Sequence, residues 1–397
     1  MRQTQIVAAL KGTLLTALIL VSVGCTVSDS PVRGRETRTT GRLVIAGGAV
    51  RPDNTAVYQA VIDGQEGDGA LCVIPTASSD PAASMERAVE ILTNYAGTGS
   101  VKGILISTED PSQAQDSSIV AEMKTCSGFF FTGGSQSRIV DVFLPSEGAT
   151  AAYQVLWQRW QEGAVVSGSS AGAAMMSRVM ISGGSSSEAV TYGVQVPGGE
   201  GVSISEGMGF FEVGTLDQHF LARGRIGRTL VSVLNQNTPK IGFGIDENTA
   251  LVVDGDSAWV VGASGVVVVD GRSVKRTGSH RGSSLLVNLI GMGDVLDLKT
   301  LAVQRERAKI PVPITSTSVE LNDDPFARWA FLHLMAALSS SSATEATYSL
   351  SEASLRIAED EGFSASMMRV TGGVEGTPLG LSAGPFRVDI LDRSTEN

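Results

Sequence analysis

Histidine and cysteine are both scarce in this sequence, with three of each among 397 residues. No spacing of these residues resembles a zinc site, which needs about four such ligands. The chain also lacks a phosphate-binding loop, and its glycine-rich stretches do not follow a first strand in the pattern of a dinucleotide site. We therefore expect neither a metal nor another cofactor.

Positive charge is also in short supply. Lys and Arg number 30 against 41 Asp and Glu, which gives a formal net charge of −11. A chain of this charge has no general basic surface with which to bind nucleic acid or an anionic membrane. Nucleic-acid binding is therefore not expected, although arginines can still cluster locally.

The first 24 residues are predicted to be a secretory signal. Arg2 and Lys11 accompany an apolar run at residues 12–23, which is short for a transmembrane span of ~20 residues. Cys25 follows small residues, as in the lipobox of bacterial lipoproteins, where the cysteine is lipidated; the alternative is an ordinary signal with an incidental cysteine. Residues 25–40 are predicted to form a flexible polar tether. The protein is expected to be exported, and either lipid-anchored to the cell envelope or secreted.

The other two cysteines, Cys72 and Cys126, each enter a strand-like apolar run. Free cysteine is among the most buried residue types and packs as a small apolar side chain. We expect both residues to be buried thiols rather than partners in a disulfide.

Short apolar runs alternate with amphipathic helical stretches from residue 42 onwards. The runs predicted as strands lie at residues 42–48, 70–79, 103–108, 128–134 and 163–170. Near-continuous apolar strands between helices indicate an α/β fold with a parallel sheet flanked by helices on both faces. Each run ends in a Gly/Ser/Thr-rich turn, and the ligand site of such a sheet lies at the carboxyl ends of its strands.

The pattern changes after residue 240 to β-hairpins with Gly and Asp turns, up to about residue 304. Residues 305–397 are predicted to be a C-terminal extension of unknown role, with a helix beginning near Asp323 and a final helix-and-strand segment. The main domain is therefore expected to span residues 41–304.

One of the predicted turns carries a candidate nucleophile. Residues 168–172, GSSAG, fit the pattern G-x-S-x-G between a predicted strand and a predicted helix. The two glycines allow a strained backbone that exposes the central serine at the top of the sheet. Ser170 is therefore the candidate nucleophile, and the alternative is a turn of small residues that serves packing only.

A serine hydroxyl needs a neighbouring base to remove its proton. His280 lies in a polar loop and His333 on the apolar face of a late helix, so neither is favoured. His219 stands in the α/β part of the chain and is the candidate base. An acidic side chain must orient this base. Three residues remain candidates for that role: Glu247, Asp246 and Asp217.

Four linked motifs resemble the cyanophycinase family of serine peptidases in their order and spacing: FFFTGGSQSR, GSSAGA, DQHFLARGRIGR and GFGIDENTAL. The likeness covers roughly residues 41–304. It implies a class I glutamine amidotransferase-like, flavodoxin-type fold and peptide-bond hydrolysis by serine catalysis through an acyl-enzyme. The family also suggests a homodimer.

The resemblance implies roles for particular residues as well. Ser170 would be the nucleophile, His219 the base and Glu247 the residue that orients it. The backbone N–H groups of Gly134 and Ala171 would form the oxyanion hole. The positions that match the family's substrate pocket are Gln136, Asp217, Gln218, Arg223, Arg225 and Arg228.

The arginine cluster after the candidate base has a chemical meaning of its own. Arg223, Arg225 and Arg228 are close together in the sequence, and guanidinium groups bind carboxylates through paired hydrogen bonds. The alternative is a solvated basic helix face. One departure from the family is Ser135, which stands where Asp usually precedes the glutamine of this turn, and it leaves the fit of the substrate pocket open.

The sequence predicts an exported serine peptidase that hydrolyses cyanophycin, an arginine-bearing poly-aspartate, to β-Asp-Arg dipeptides. Two alternatives stay open: a related exported peptidase that acts on other acidic or isoaspartyl peptides, and a lipoprotein that binds peptides without cleaving them. Membrane contact is expected only through a lipid on Cys25.

Overall fold

Five parallel strands form one side of the first of two large β-sheets in the computed structural model, which describes residues 40–195, 198–368 and 380–393. The strands are β1 (Leu43–Ala46), β2 (Ala70–Ile74), β3 (Val101–Gly103), β4 (Cys126–Phe131) and β5 (Val165–Ser169). Their order across the sheet is β1-β5-β4-β2-β3. The predicted signal, most of the predicted tether and Cys25 lie outside the described residues.

Helices cover both faces of these parallel strands because successive strand side chains point to opposite sides of a sheet. Phe130 packs on one face with α1 and α2, whereas Phe129 and Phe131 pack on the other face with α3, α4 and α5. The bounds of these helices are α1 (Thr55–Ile62), α2 (Pro81–Ala96), α3 (Ser117–Met123), α4 (Gln136–Phe143) and α5 (Ala151–Gln161), with a 3₁₀-helix at Pro111–Gln115. The predicted α/β architecture, a parallel sheet flanked by helices, is confirmed.

One predicted strand is displaced. The apolar run at residues 103–108 was expected to be a strand, but β3 ends at Gly103. After it, Ile104 and Ile106 are buried within a loop, and the hydroxyl of Thr76 donates to the Ile106 carbonyl. The apolar pattern therefore reflects burial at this sheet edge and not strand pairing.

The strands after α5 are mostly antiparallel. They comprise β6 (Val179–Gly183), β7 (Val194–Gln195), β8 (Val202–Glu206), β9 (Thr215–Gln218), β10 (Ile241–Ile245), β11 (Thr249–Asp254), β12 (Ser257–Gly262), β13 (Gly265–Asp270), β14 (Lys275–Arg276), β15 (Gly282–Gly291), β16 (Val295–Asp297) and β17 (Val303–Gln304). β11 and β12 form an antiparallel hairpin, as predicted, whereas β10 pairs antiparallel with β13 and not with the next strand in the chain. The first sheet continues from β1 through β11, β12, β16 and β17.

The segment after residue 304 joins the second large sheet, whose order is β18-β20-β21-β15-β13-β10-β9. Its strands are β18 (Ile310–Pro311), β19 (Glu345–Ser349), β20 (Ala353–Met367) and β21 (Ser382–Asp392). The remaining helices are α6 (Ala171–Ala174), α7 (Ser186–Tyr192), α8 (Ile226–Leu234) and α9 (Ala330–Ser339). Among the described residues after α9 the chain forms strands only, so the final helix expected from the sequence is absent there. The described part of this segment thus shares a core with α8, β13 and β15.

Cys72 and Cys126 form a disulfide, so the prediction of two free thiols was wrong. The cysteines lie on β2 and β4, which are neighbours in the sheet, and their Cα atoms are 6.0 Å apart. Both residues are fully buried. Sequence spacing gave no sign of the bond because the cysteines are 54 residues apart and meet only through the strand order β4-β2.

Strands from both sheets contribute turns to the predicted site. The parallel strands β1, β4 and β5 end side by side there, and β9 and β10 of the second sheet also run parallel to each other. Predicted site residues lie in the turns that follow β4, β5, β9 and β10, which is where an α/β sheet binds its ligand. In the part of the chain that the structure describes, no helix is long and apolar enough to cross a membrane.

Candidate active site

Ser170 occupies a strained turn between β5 and α6. Its backbone has φ 58° and ψ −112°, a conformation that L-residues with side chains rarely adopt. The two flanking glycines make the turn possible: a Cβ atom on Gly168 would lie 2.4 Å from the carbonyl oxygen of Gly172. The G-x-S-x-G pattern therefore acts as expected, and it leaves the Ser170 side chain partly exposed at the sheet edge.

His219 stands directly after β9 and faces Ser170. Its Nε2 atom lies 2.9 Å from Ser170 Oγ, and its backbone N–H donates to the Gly47 carbonyl at 2.7 Å. The imidazole is buried. The base and the nucleophile are therefore within proton-transfer distance, although they are 49 residues apart in sequence.

Glu247 completes a chain of hydrogen bonds. Its Oε1 atom lies 2.7 Å from His219 Nδ1. A carboxylate in this position fixes the Nδ1–H tautomer, so that Nε2 is free to accept the serine proton. We refer to Ser170, His219 and Glu247 as the triad.

The neighbouring Asp246 has a different task from Glu247. It is buried and accepts hydrogen bonds from the Ala222 N–H at 2.8 Å and from the Ser264 hydroxyl at 2.7 Å. Burial raises the pKa of the Asp246 carboxyl. Of the three acidic candidates, only Glu247 hydrogen-bonds to His219. Asp246 instead connects the backbone at Ala222 with the turn at Ser264.

The environment of His219 keeps the imidazole neutral. Burial lowers its pKa below the ordinary value and the positive charges of Arg223 and Arg225 act in the same direction, against the opposing effect of Glu247. A neutral imidazole at neutral pH can act as a general base without first losing a proton. The local charges therefore suit the role predicted for this residue.

Gly48 is a functional position that the sequence reasoning missed. Its backbone has φ +105°, and a Cβ atom there would lie 2.3 Å from His219 Nε2. The imidazole thus occupies the space that a side chain on residue 48 would fill. The available signal was the pair Gly47-Gly48, which stands at the end of the first apolar run.

Asn248 joins the same turn to the acid. Its N–H donates to the Gly48 carbonyl at 2.9 Å, and its side-chain oxygen accepts from Arg51 N–H at 3.0 Å and from Asn54 Nδ2 at 2.7 Å. The loop after β1 is therefore hydrogen-bonded to the residue that follows Glu247, and this fixes the position of Gly48 relative to Glu247.

The two predicted oxyanion donors flank the nucleophile. Ala171 follows Ser170 at the first position of α6, and Gly134 lies in the turn after β4. A Cβ atom on the adjacent Gly133 would be only 3.4 Å from Ser170 Cβ, so this turn runs against the serine. The contribution of both N–H groups to an oxyanion hole stays a prediction.

Asp217 and Arg228 form a buried ion pair beneath the site. Both nitrogens Nε and Nη2 of Arg228 donate to the Asp217 carboxylate, with Nε at 2.8 Å from Oδ2. Their side chains are 1% and 6% exposed. Burial opposes ionisation of Asp217, but the charge of Arg228 outweighs it, and the pKa of the carboxyl lies below its usual range. Direct substrate contact by this pair, as the resemblance implies, stays a prediction.

The other two arginines lie nearer the surface. Arg225 donates to the Gln218 carbonyl at 2.6 Å, and burial lowers its pKa to about 10, which still leaves it charged at neutral pH. Arg223 is 53% exposed and its Nε atom lies 3.9 Å from Glu247 Oε1. Arg223 is therefore the arginine of this cluster that is most open to a ligand.

The two glutamines predicted to line the substrate pocket differ in their contacts. The Gln136 side chain donates to the Ile181 carbonyl at 2.9 Å and is buried. The Gln218 side-chain oxygen lies 3.4 Å from Ser170 Oγ. Gln218 thus touches the nucleophile, whereas Gln136 connects α4 to β6.

The described residues contain no group of three or more His, Cys, Asp or Glu side chains arranged to hold a metal ion.

Comparison with known proteins agrees with this geometry. The profile of peptidase family S51 matches residues 43–261, which is more than half of the chain. The chain is 30% identical over 248 residues to a cyanophycinase of Synechococcus elongatus, covering 60% of this chain and 73% of that protein. It is 31% identical over 243 residues to a cyanophycinase of Geminocystis herdmanii, covering 59% and 84%.

A crystal structure of a peptidase from an acI-B1 Actinobacterium is also similar, with a TM-score of 0.49 and 20% identity, over 65% of this chain and 97% of that one. The family match spans β1 through most of β12 and so includes the strained serine, the histidine and the glutamate. The chain belongs to peptidase family S51 and is a serine-type peptidase.

Proposed function

We propose that this protein is an exported peptidase that hydrolyses cyanophycin to β-Asp-Arg dipeptides through an acyl-enzyme. The observation that carries the catalytic part is the continuous hydrogen-bond chain from Ser170 Oγ through His219 to Glu247. The relatives that are named cyanophycinases support the substrate.

The reaction begins when Ser170 Oγ attacks the scissile carbonyl carbon and its proton moves to His219 Nε2. Glu247 stabilises the imidazolium that forms, through its hydrogen bond to Nδ1–H. The negative oxygen of the tetrahedral intermediate accepts hydrogen bonds from the Ala171 and Gly134 N–H groups, each worth about 3 kcal/mol at the transition state. His219 then protonates the leaving amine, and the C–N bond breaks.

The second half of the reaction releases the acyl group. His219 removes a proton from water, the resulting hydroxide attacks the ester carbon, and the Ser170 Oγ leaves with the returned proton. The same hydrogen bonds serve both halves, so no further side chain is needed for the proton transfers.

Substrate recognition rests on the positive charge beside the triad. Arg223 and Arg225 present guanidinium groups suited to the free carboxylates of β-Asp-Arg units. Asp217 and Arg228 support this surface from below, because Arg225 also contacts Asp217 Oδ1 at 3.5 Å. The half-buried position of Arg225 and the exposure of Arg223 support their direct contact with substrate.

Export is supported by the disulfide between Cys72 and Cys126. Disulfides form and persist mainly in oxidising compartments and are rare in the cytosol. An exported enzyme would act on cyanophycin released by other cells. Lipidation of Cys25 remains part of this proposal and is tested by whether a Cys25→Ala variant leaves the membrane fraction.

The proposal is tested by incubating the purified protein with insoluble cyanophycin and with generic peptides. Clearing of the suspension with release of β-Asp-Arg, detected by mass spectrometry, supports the full proposal. Labelling of Ser170 by a fluorophosphonate without clearing of the polymer would assign the enzyme to other acidic or isoaspartyl peptides. Absence of labelling would contradict the assigned catalytic role of Ser170.

A further inference from the structure

A cavity of about 160 Å³ lies between the first sheet and helices α1 and α2, on the side of the sheet away from α4 and α5. Its hydrocarbon walls are formed by Val44, Ala46, Val57, Val61, Leu92 and Phe130. Its lining includes none of the residues predicted to bind cyanophycin. Its size is close to that of engineered apolar cavities that admit a benzene molecule, so one side chain of a peptide can occupy it.

The cavity reaches the back of the nucleophile turn. Ser169 and Gly133 both line it, and a Cβ atom on Gly133 would lie 3.4 Å from Ser170 Cβ and 3.8 Å from Ser170 Oγ. Gly133 therefore separates the cavity from the reacting hydroxyl. Because Gly133 has no side chain, only its backbone lies between the cavity and the nucleophile at this point.

Two polar features restrict the ligand. Thr132 lines the cavity and is 5% exposed, and its hydroxyl has no hydrogen-bond partner among the described residues. A buried hydroxyl without a partner is costly, and a polar ligand atom would supply one. Arg87 is the one charged residue in the lining, so a second cation is disfavoured there.

We infer that this cavity is a specificity subsite for an uncharged, largely hydrocarbon side chain next to the bond that Ser170 attacks. This inference rests on the proposed peptidase function and extends its substrate class beyond cyanophycin. In cyanophycin the arginine branch would stay outside the cavity, because a guanidinium inside it would lie beside Arg87 and the lining contains no carboxylate to balance the two charges. Acidic peptides with an uncharged residue at this position suit both the cavity and the exposed arginines.

The inference is tested with three peptidyl phosphonates that differ only in the side chain next to phosphorus: leucine, glutamine or arginine. The rate of Ser170 labelling in the full chain is measured by intact-protein mass spectrometry and divided by the rate with methanesulfonyl fluoride, which has no such side chain. We expect the leucine and glutamine probes to react at least about tenfold faster than the arginine probe. An arginine probe that reacts as fast as or faster than the others would overturn the inference.

Variants locate the effect in the cavity. Ala88 lines the cavity, and Ala88→Phe should reduce the leucine-to-arginine rate ratio about tenfold. Ala83→Phe, on the exposed surface of the same helix, is the matched control and should not change it. Thr132→Val should slow the glutamine probe but not the leucine probe. An unchanged ratio in Ala88→Phe contradicts the inference.

Gly133→Ala provides a second route if Ala88→Phe does not fold. The added methyl group lies at ordinary contact distance from its neighbours. It occupies space between the cavity and Ser170, so it should also lower the leucine-to-arginine rate ratio. The two proposals fail in different ways. Labelling by methanesulfonyl fluoride without any side-chain preference removes only the subsite, whereas an unreactive Ser170 in the wild-type protein removes the peptidase proposal.

Discussion

In two groups of the described residues, a serine, a basic side chain and a carboxylate share hydrogen bonds. One is the triad, and the other consists of Ser382, Lys309 and Asp294. In the second group Lys309 Nζ donates to Asp294 Oδ1 at 2.7 Å, and the Ser382 hydroxyl donates to the other oxygen of the same carboxylate. Residue types alone do not distinguish the two groups.

Exposure and charge separate them. Ser382 and Asp294 are fully buried, the Lys309 side chain is 1% exposed, and Ser382 lies within the regular strand β21. Burial lowers the pKa of Lys309 against the opposing charge of Asp294. The buried group stabilises the junction between the β15–β16 turn and β21, whereas the triad has an accessible nucleophile on a strained turn and a neutral base. Catalysis requires the arrangement found in the triad.

The sharpest test of this difference replaces each serine. Ser170→Ala should reduce hydrolysis by at least about 10⁴-fold, because the reaction loses its nucleophile. Ser382→Ala should leave kcat/KM within about twofold, since a buried serine in a strand takes no part in the chemistry. Both are measured with the same peptide substrate. A large loss of activity in folded Ser382→Ala protein would show that the comparison is mistaken.

Replacing the basic residue of each group should affect stability in the opposite order: the loss should be large at Lys309 and small at His219. Lys309→Met leaves Asp294 without its closest charge partner and should lower the free energy of unfolding by about 3–5 kcal/mol, measured by urea denaturation. His219→Gln should abolish activity and change stability by less than about 1 kcal/mol. Equal stability of Lys309→Met and the wild type would argue that the buried group is not a structural clasp.

The space beside the imidazole gives the next largest effect. Gly48→Ala should lower kcat about 100-fold, because the new methyl group displaces His219 from Ser170. Gly183→Ala is the control, since a Cβ atom there would meet only Ser203 at 3.9 Å. Circular dichroism checks that both variants fold. Retention of full activity by Gly48→Ala would contradict the placement of the base.

The smallest expected effect is a shift in pH dependence. Because burial and nearby arginines lower the pKa of His219, kcat/KM should rise with pH through a midpoint below the ordinary histidine value of about 6.5. Arg223→Gln removes one of the charges that disfavour the imidazolium, so the midpoint should move to higher pH. Arg276→Gln, on an exposed strand, should leave it in place. A shift to lower pH in Arg223→Gln would reverse the assigned electrostatics.

The strand cores and the serine turn could be predicted from the sequence because their signals are local. The run at residues 163–170 is followed by the glycine-flanked serine, and β5 with its turn appears there as expected. With three histidines in the chain, the choice of His219 had few competitors. Residue spacing could not decide whether Glu247 or Asp246 orients His219, because the answer depends on which carboxylate faces the imidazole.

What the sequence could not show depends on tertiary contacts. The Cys72–Cys126 bond needs the strand order, and the role of Gly48 needs the position of an imidazole 171 residues later. The strand β20 contains the acidic stretch Glu359–Glu361, which local propensity would assign to a turn. Within this stretch only Glu359 pairs with β21, opposite Phe386, and the register then shifts before pairing resumes at Ser364.

The position of β21 has a consequence for biosynthesis. This strand pairs with β15, and β13 lies between β15 and β10, the strand that precedes Glu247. β21 is also synthesised after every residue of the triad. A nascent chain can therefore contain all three reactive side chains while the sheet that aligns them still lacks a neighbour. The sheet that carries the glutamate loop is therefore complete only after β21 has paired with β15.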